Sequence, residues 1–225
     1  MAQTFESLKS EYRQLWDSMV VIASKKDAVN TITAKLMQNY DRYKCAESQT
    51  SVPWYVIAAW HNRESSARFD TQLAQGDPLS KVSVHVPSGR GPFLNWEDGA
   101  YDALVTLKHL DRVTEWSPER ICYETERYNG FGYRNNHPSV LSPYLWSFTN
   151  HYSRGKYIAD GKFDSNAVDQ QCGAIPLMKR LIELTGTLPK APTIPPPITP
   201  QPSQPSTPKN WLQLIINAIA AIFKR

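Results

Sequence analysis

The sequence predicts a mainly α fold with a small β element, followed by a proline-rich linker and a C-terminal amphipathic helix. Three observations predict it. Apolar residues recur three and four positions apart through most of the first 188 residues, which is the spacing of a helix face. Apolar–polar alternation, the strand pattern, is confined to a short run at Val82–Val86. Nine of the 17 prolines fall within residues 189–208, so core building ends there.

The elements follow in chain order. Phe5, Leu8, Tyr12, Leu15, Trp16 and Met19 share one helical face. Val29, Ile32, Leu36, Met37, Tyr40 and Tyr43 continue the same spacing in the next segment. Pro53 opens a buried-looking helix, Trp54 to Ser65, with Glu64 near its end. Val82–Val86 reads as a short strand, and Pro87–Pro92 as a turn-rich loop. Trp96 to Leu110 reads as one helix with Ala100, Ala103, Leu104 and Leu107 on a face. Ser117-Pro118-Glu119 is a helix start: an N-cap, a proline at the first helical position and an acid in the first turn. Asn129-Gly130 breaks that helix. Ile175 to Leu184 forms the last helix, which Gly186 stops.

This organisation gives a domain over 1–188, a semi-rigid linker over 189–208 and a cationic apolar segment over 209–225. The domain balances 21 basic against 21 acidic residues, and the whole net charge of +4 lies beyond Leu188. A neutral domain excludes a uniformly basic protein and gives no nucleic-acid signal. Cys45, Cys122 and Cys172 are widely spaced, so they read as buried or partly buried free thiols. Five histidines without paired spacing give no metal site, and no cofactor motif is present. Met1–Asp17 does not read as a secretory signal, so the expectation is synthesis in the cytoplasm.

Glu64 is the candidate for chemistry. A carboxyl at the end of a buried helix is partly desolvated, which raises its pKa and suits it to donate a proton near neutral pH. Cleavage of a glycosidic bond needs such a general acid. A lone glutamate at a helix end is also a common ion-pair or capping residue.

The surrounding residues add a resemblance. Arg63-Glu64-Ser65-Ser66 resembles the Glu-Ser motif of goose-type lysozymes and soluble lytic transglycosylases. Arg127-Tyr128-Asn129-Gly130-Phe131-Gly132-Tyr133 resembles the Tyr-Asn segment along their sugar groove. With Gly76–Leu79, the loop to Pro92, Trp96–Leu104 and Ser142–Gly161, the ordered pattern is similar to phage and prophage lysozyme-like muramidases over about residues 50–172. The Gly-Leu-Met-Gln segment typical of lytic transglycosylases is missing; Gly76–Leu79 and Val82–Pro92 occupy that region.

The resemblance implies a lysozyme-like helical domain with a small β-hairpin beside the cleft. It implies an endolysin-type muramidase acting on peptidoglycan, with Glu64 as general acid. A lytic transglycosylase is the alternative, and a non-catalytic cell-wall binding protein is an alternative of another class. Asp77 is the first candidate for a second carboxylate, or else a turn or capping aspartate before Pro78. Asp70 and Asp98 are weaker candidates. Tyr128, Asn129 and Tyr133 are candidates for substrate contact, or else a turn with core tyrosines. His85 is a candidate cleft residue, or else structural. A Ser-His nucleophile from His61 with Ser65 or Ser66 lacks a strand–Ser–helix elbow.

In the tail, Trp211 to Phe223 spans about 20 Å as a helix, too short for a hydrocarbon core of about 30 Å. Trp211, Lys224 and Arg225 are the candidates for contact with an anionic membrane surface. The other reading is a helix docked on the domain or on a second copy.

Overall fold

The computed structural model describes residues 3–186. The linker and tail, with Trp211, Lys224 and Arg225, lie outside the described residues. The described chain is mainly helical. Its α-helices are α1 (Phe5–Ser18), α2 (Lys26–Met37), α3 (Tyr40–Thr50), α4 (Trp54–Ser65), α5 (Trp96–Tyr101), α6 (Pro118–Asn129), α7 (Gly132–Asn136), α8 (Pro143–Trp146) and α9 (Ala174–Thr185). One antiparallel hairpin, β1 (Lys156–Ala159) and β2 (Lys162–Asp164), completes it.

Local chemistry explains most boundaries. Thr4 and Ser7 form a reciprocal capping box at the start of α1. Ser117 accepts the Arg120 N–H, with Pro118 at the first position of α6. Gly186 takes a φ of +64° and ends α9. The long spacing from Val29 to Tyr43 is divided at Gln38–Asn39, where α2 gives way to α3. Trp96–Leu110 is not one α-helix. After Tyr101 the turn widens to a π-helix over Asp102–Leu107, and His109 then turns left-handed at φ +54°.

The hairpin is real but lies elsewhere than predicted. Val82–Val86 forms no strand, because the loop satisfies its backbone internally: Ser83 and Arg90 pair, and Gly89 donates to Ser83. The side chains of Val82, Val84 and Val86 are exposed. The observed hairpin turns at Asp160-Gly161, a two-residue turn with Gly161 at φ +65°. Its register pairs Lys156 with Asp164 and Tyr157 with Phe163.

The core is built round α4. Trp54 through His61 are all buried, so this helix is apolar on every side rather than on one stripe. It packs against α3 and α9, while α1 packs against α6. Trp54, Trp60, Trp96, Trp116 and Trp146 are all fully buried, which gives a small domain a large apolar payload. Gly173 sets how closely α8 meets the start of α9. A Cβ there would stand 2.3 Å from the Leu145 carbonyl oxygen. Cys122 and Cys172 are buried free thiols, whereas Cys45 is exposed on α3 rather than partly buried. Among the described residues, no helix is long and apolar enough to cross a membrane.

Candidate active site

Glu64 stands in the last turn of α4, half-buried, where that helix leaves the core. Three local features fix this corner. Ser66 and Ala67 both adopt left-handed backbone, at φ +55° and +57°, so the chain reverses sharply after Ser65. Lys35 on α2 donates to the Ser66 carbonyl at 2.9 Å. His61, one turn before Ser65, pins the outgoing chain by donating from Nε2 to the Arg68 carbonyl at 2.9 Å. Its Nδ1 then accepts the Tyr43 hydroxyl at 3.0 Å, which fixes the neutral tautomer. Burial depresses its pKa to about 4. Both ring nitrogens are thus engaged, and the Ser65 hydroxyl bonds the His61 carbonyl instead, at 3.2 Å. No Ser-His nucleophile is assembled.

The carboxyl of Glu64 meets α8 from across the chain. The Tyr144 hydroxyl donates to Oε1 at 2.6 Å. Burial raises the Glu64 pKa above the ordinary carboxylate value; the Tyr144 hydrogen bond and the charges of Arg63 and Lys108 pull it back without cancelling the rise. Burial, then the Glu64 charge, keeps Tyr144 protonated as a donor. Lys108 is half-buried, its pKa lowered by burial and by Arg127, and its ammonium donates to the Tyr128 carbonyl at 3.0 Å.

A cavity of about 320 Å³ opens beside this pair. Tyr144 and Arg63 line it together with Asn129, Tyr133 and the hairpin residues Lys156 and Tyr157. The hairpin therefore does lie at the cavity, as expected of a β-hairpin beside the cleft. Tyr133 and Tyr157 meet edge to face at 5.1 Å, and the Tyr133 hydroxyl accepts the Tyr157 N–H at 3.1 Å. On the floor, Asp169 accepts Arg63 Nη1 at 2.9 Å and Lys156 Nζ at 3.0 Å. Asp169 is only 1% exposed and Arg63 8%. Burial alone would raise the Asp169 pKa; the charges and hydrogen bonds of Arg63 and Lys156 outweigh it and hold it below the ordinary value.

The predicted site residues divide. Asn129 and Tyr133 line the cavity, and Glu64 is tied to it through Tyr144 rather than lining it. Tyr128 does not line it: its ring stacks on Trp60 at 4.4 Å, because the phenol completes the core under α4. Its buried hydroxyl has no hydrogen-bond partner. His85 is exposed and bonds Asp77 through Nδ1 at 2.7 Å rather than lining the cavity. The Asp77 carboxylate also accepts the Val84 N–H at 3.0 Å and the His85 N–H at 3.2 Å. Those three bonds tie its loop together, as a capping aspartate would. Burial opposes ionisation of Asp77, and the bonds from His85 and Val84 prevail, so its pKa is lowered. Asp70 is exposed beside Arg68, and Asp98 lies in the first turn of α5.

Sequence reasoning missed Tyr144, Lys108 and the trio Arg63, Lys156 and Asp169. Among the described residues, no group of three or more His, Cys, Asp and Glu side chains is placed to hold a metal ion. No family model, curated protein or solved structure matches the chain.

Proposed function

We propose that the domain is a glycoside-cleaving enzyme of muramidase type, acting on the β-1,4 bond between N-acetylmuramic acid and N-acetylglucosamine in peptidoglycan. One observation carries the reading: Glu64, its pKa raised, bonds Tyr144 of a polar and aromatic cavity, and Tyr144 occupies only one of its oxygens. A proton on Oε2 is then free to pass to the glycosidic oxygen as the carbon–oxygen bond breaks. Tyr157 and Tyr133 offer ring edges and faces to sugar, and Asn129 offers an amide to an N-acetyl group. In the hydrolytic route, water adds to the anomeric carbon and its proton leaves to a base.

A lytic transglycosylase is a second reading, and the state of the carboxylates favours it. The carboxylate lining the cavity, Asp169, is held by two cations, and Asp77 is held by its own loop. In that route the muramyl 6-hydroxyl closes on the anomeric carbon, and ionised Glu64 takes back a proton, so no second carboxylate is required. Product masses from purified peptidoglycan separate the two: reducing ends mean hydrolysis, and 1,6-anhydro ends mean transglycosylation. A Glu64→Gln protein that clears peptidoglycan at the wild-type rate would sink both.

Release from a host cytoplasm to the cell wall, and contact of the tail with anionic membrane, belong to the same reading. The charge asymmetry and linker length support the tail's contact, and the resemblance to phage muramidases supports the release.

A further inference from the structure

We infer that Arg63 and Lys156 form an anion-receiving subsite, which takes a carboxylate carried by a peptide substituent on the glycan strand. The inference rests on the proposed glycan-cleaving reading and names a feature of its substrate. The charged residues lining the cavity are Arg63, Lys156 and Asp169, two cations against one anion. Asp169 is spent on holding both cations in place. Each of its carboxylate oxygens takes one of them, and Oδ1 also accepts the Gln171 N–H at 3.3 Å.

Arg63 retains unspent donor capacity. Both of its hydrogen bonds leave from Nη1, one to Asp169 and one to the Cys172 carbonyl at 3.3 Å. Its Nε is sealed in the core without a partner, whereas Nη2 makes no hydrogen bond and is not sealed. An anion entering the cavity that Arg63 lines would give Nη2 an acceptor. Tyr144 holds the guanidinium plane from one side, with the ring centroid 4.9 Å away. Lys156 is about a third exposed, so its ammonium has donors free for a ligand as well. The sugar rings supply no charge to match this surplus, and the lactyl carboxyl of each peptide-bearing muramyl residue is tied up as an amide. Stem peptides of peptidoglycan carry free carboxylates and hang from the sugars next to the cleaved bond.

Binding of full-length Glu64→Gln protein to two soluble glycan preparations tests this. Both carry stem peptides, one with the peptide carboxylates free and the other with those carboxylates converted to neutral amides. The strand with free carboxylates is expected to bind more tightly. Lys156→Gln in that background should reduce the preference by about tenfold, the worth of one charge-assisted hydrogen bond, and Lys156→Arg should restore most of it. Thermal midpoints report whether Lys156→Gln has disturbed the fold. Equal binding of the two strands, or a preference untouched by Lys156→Gln in a folded protein, overturns the subsite while leaving the glycan reading in place. Binding of neither strand overturns both.

Discussion

Replacing Tyr144 with phenylalanine removes one hydroxyl and keeps the ring that packs α8. The hydroxyl donates to Glu64 at 2.6 Å, a short distance that marks a charge-assisted bond when the carboxyl is ionised. Such a bond favours the charged form by about 1.5–3 kcal/mol. Burial already raises the Glu64 pKa, and this bond is the largest of the interactions opposing the rise. Without it, protonated Glu64 should persist to higher pH by about one to two pH units. Because the protonated form is the proposed catalytic acid, the alkaline limb of the pH–rate profile should move upward by that amount. Carbon-13 NMR of the glutamate carboxyls, with Glu64 assigned by its loss in Glu64→Gln, measures the same shift without any substrate. An alkaline limb or a carboxyl titration that stays put or moves downward would refute the reasoning.

Glu64→Gln should slow cleavage by about 10²–10⁴-fold, measured as release of soluble fragments from purified peptidoglycan. It should also change the pH dependence of stability. A folded-state pKa raised above the ordinary 4.5 costs wild type stability as pH climbs through it, and glutamine abolishes that loss. The urea midpoint at pH 7, taken relative to that at pH 4, should therefore be higher in the variant than in wild type. Asp169→Ala leaves the buried Arg63 guanidinium without its anion, and should destabilise the fold by roughly 3–5 kcal/mol in urea. In wild type, the contribution of Asp169 should be lost as pH falls below the ordinary 3.8, since its pKa is depressed. Asp77→Asn should speed amide hydrogen exchange at Val84 and His85, whose N–H groups it holds. Deleting residues 189–225 should leave activity on isolated peptidoglycan intact and reduce killing of whole cells.

Helix faces were the legible part of this chain. The spacing through α1, the cap at Ser117-Pro118 and the stop at Gly186 all reflect local chemistry that a sequence displays directly. The division at Gln38–Asn39 was hidden because the apolar spacing runs through it unbroken. The strand signal at Val82–Val86 misled because alternation there serves an exposed loop, whereas the Asp160-Gly161 turn marked the true hairpin. In the site, Glu64 was visible through its own neighbours. Tyr144 lies 80 positions away, and Asp169 lies 106 from Arg63, so no local pattern could join them. Tyr128 sat beside the right residues, but the side of α6 it occupies turns to Trp60.

Gly173 contributes no side chain to the cavity, and its N–H simply returns to the Ser147 carbonyl at 3.0 Å. Yet it lies against the peptide of Leu145, the residue after Tyr144, at a distance no methyl group can share. Any substituent would wedge apart the two segments whose contact seats the Tyr144 hydroxyl on Glu64. In a saturation screen scored by cleavage, position 173 would be as intolerant as position 64. Scoring the same library for thermal stability would part them, since substitutions at 173 lower both scores and those at 64 lower only one. A map of intolerant positions in this protein would thus outline the supports of the proposed acid as well as the acid itself.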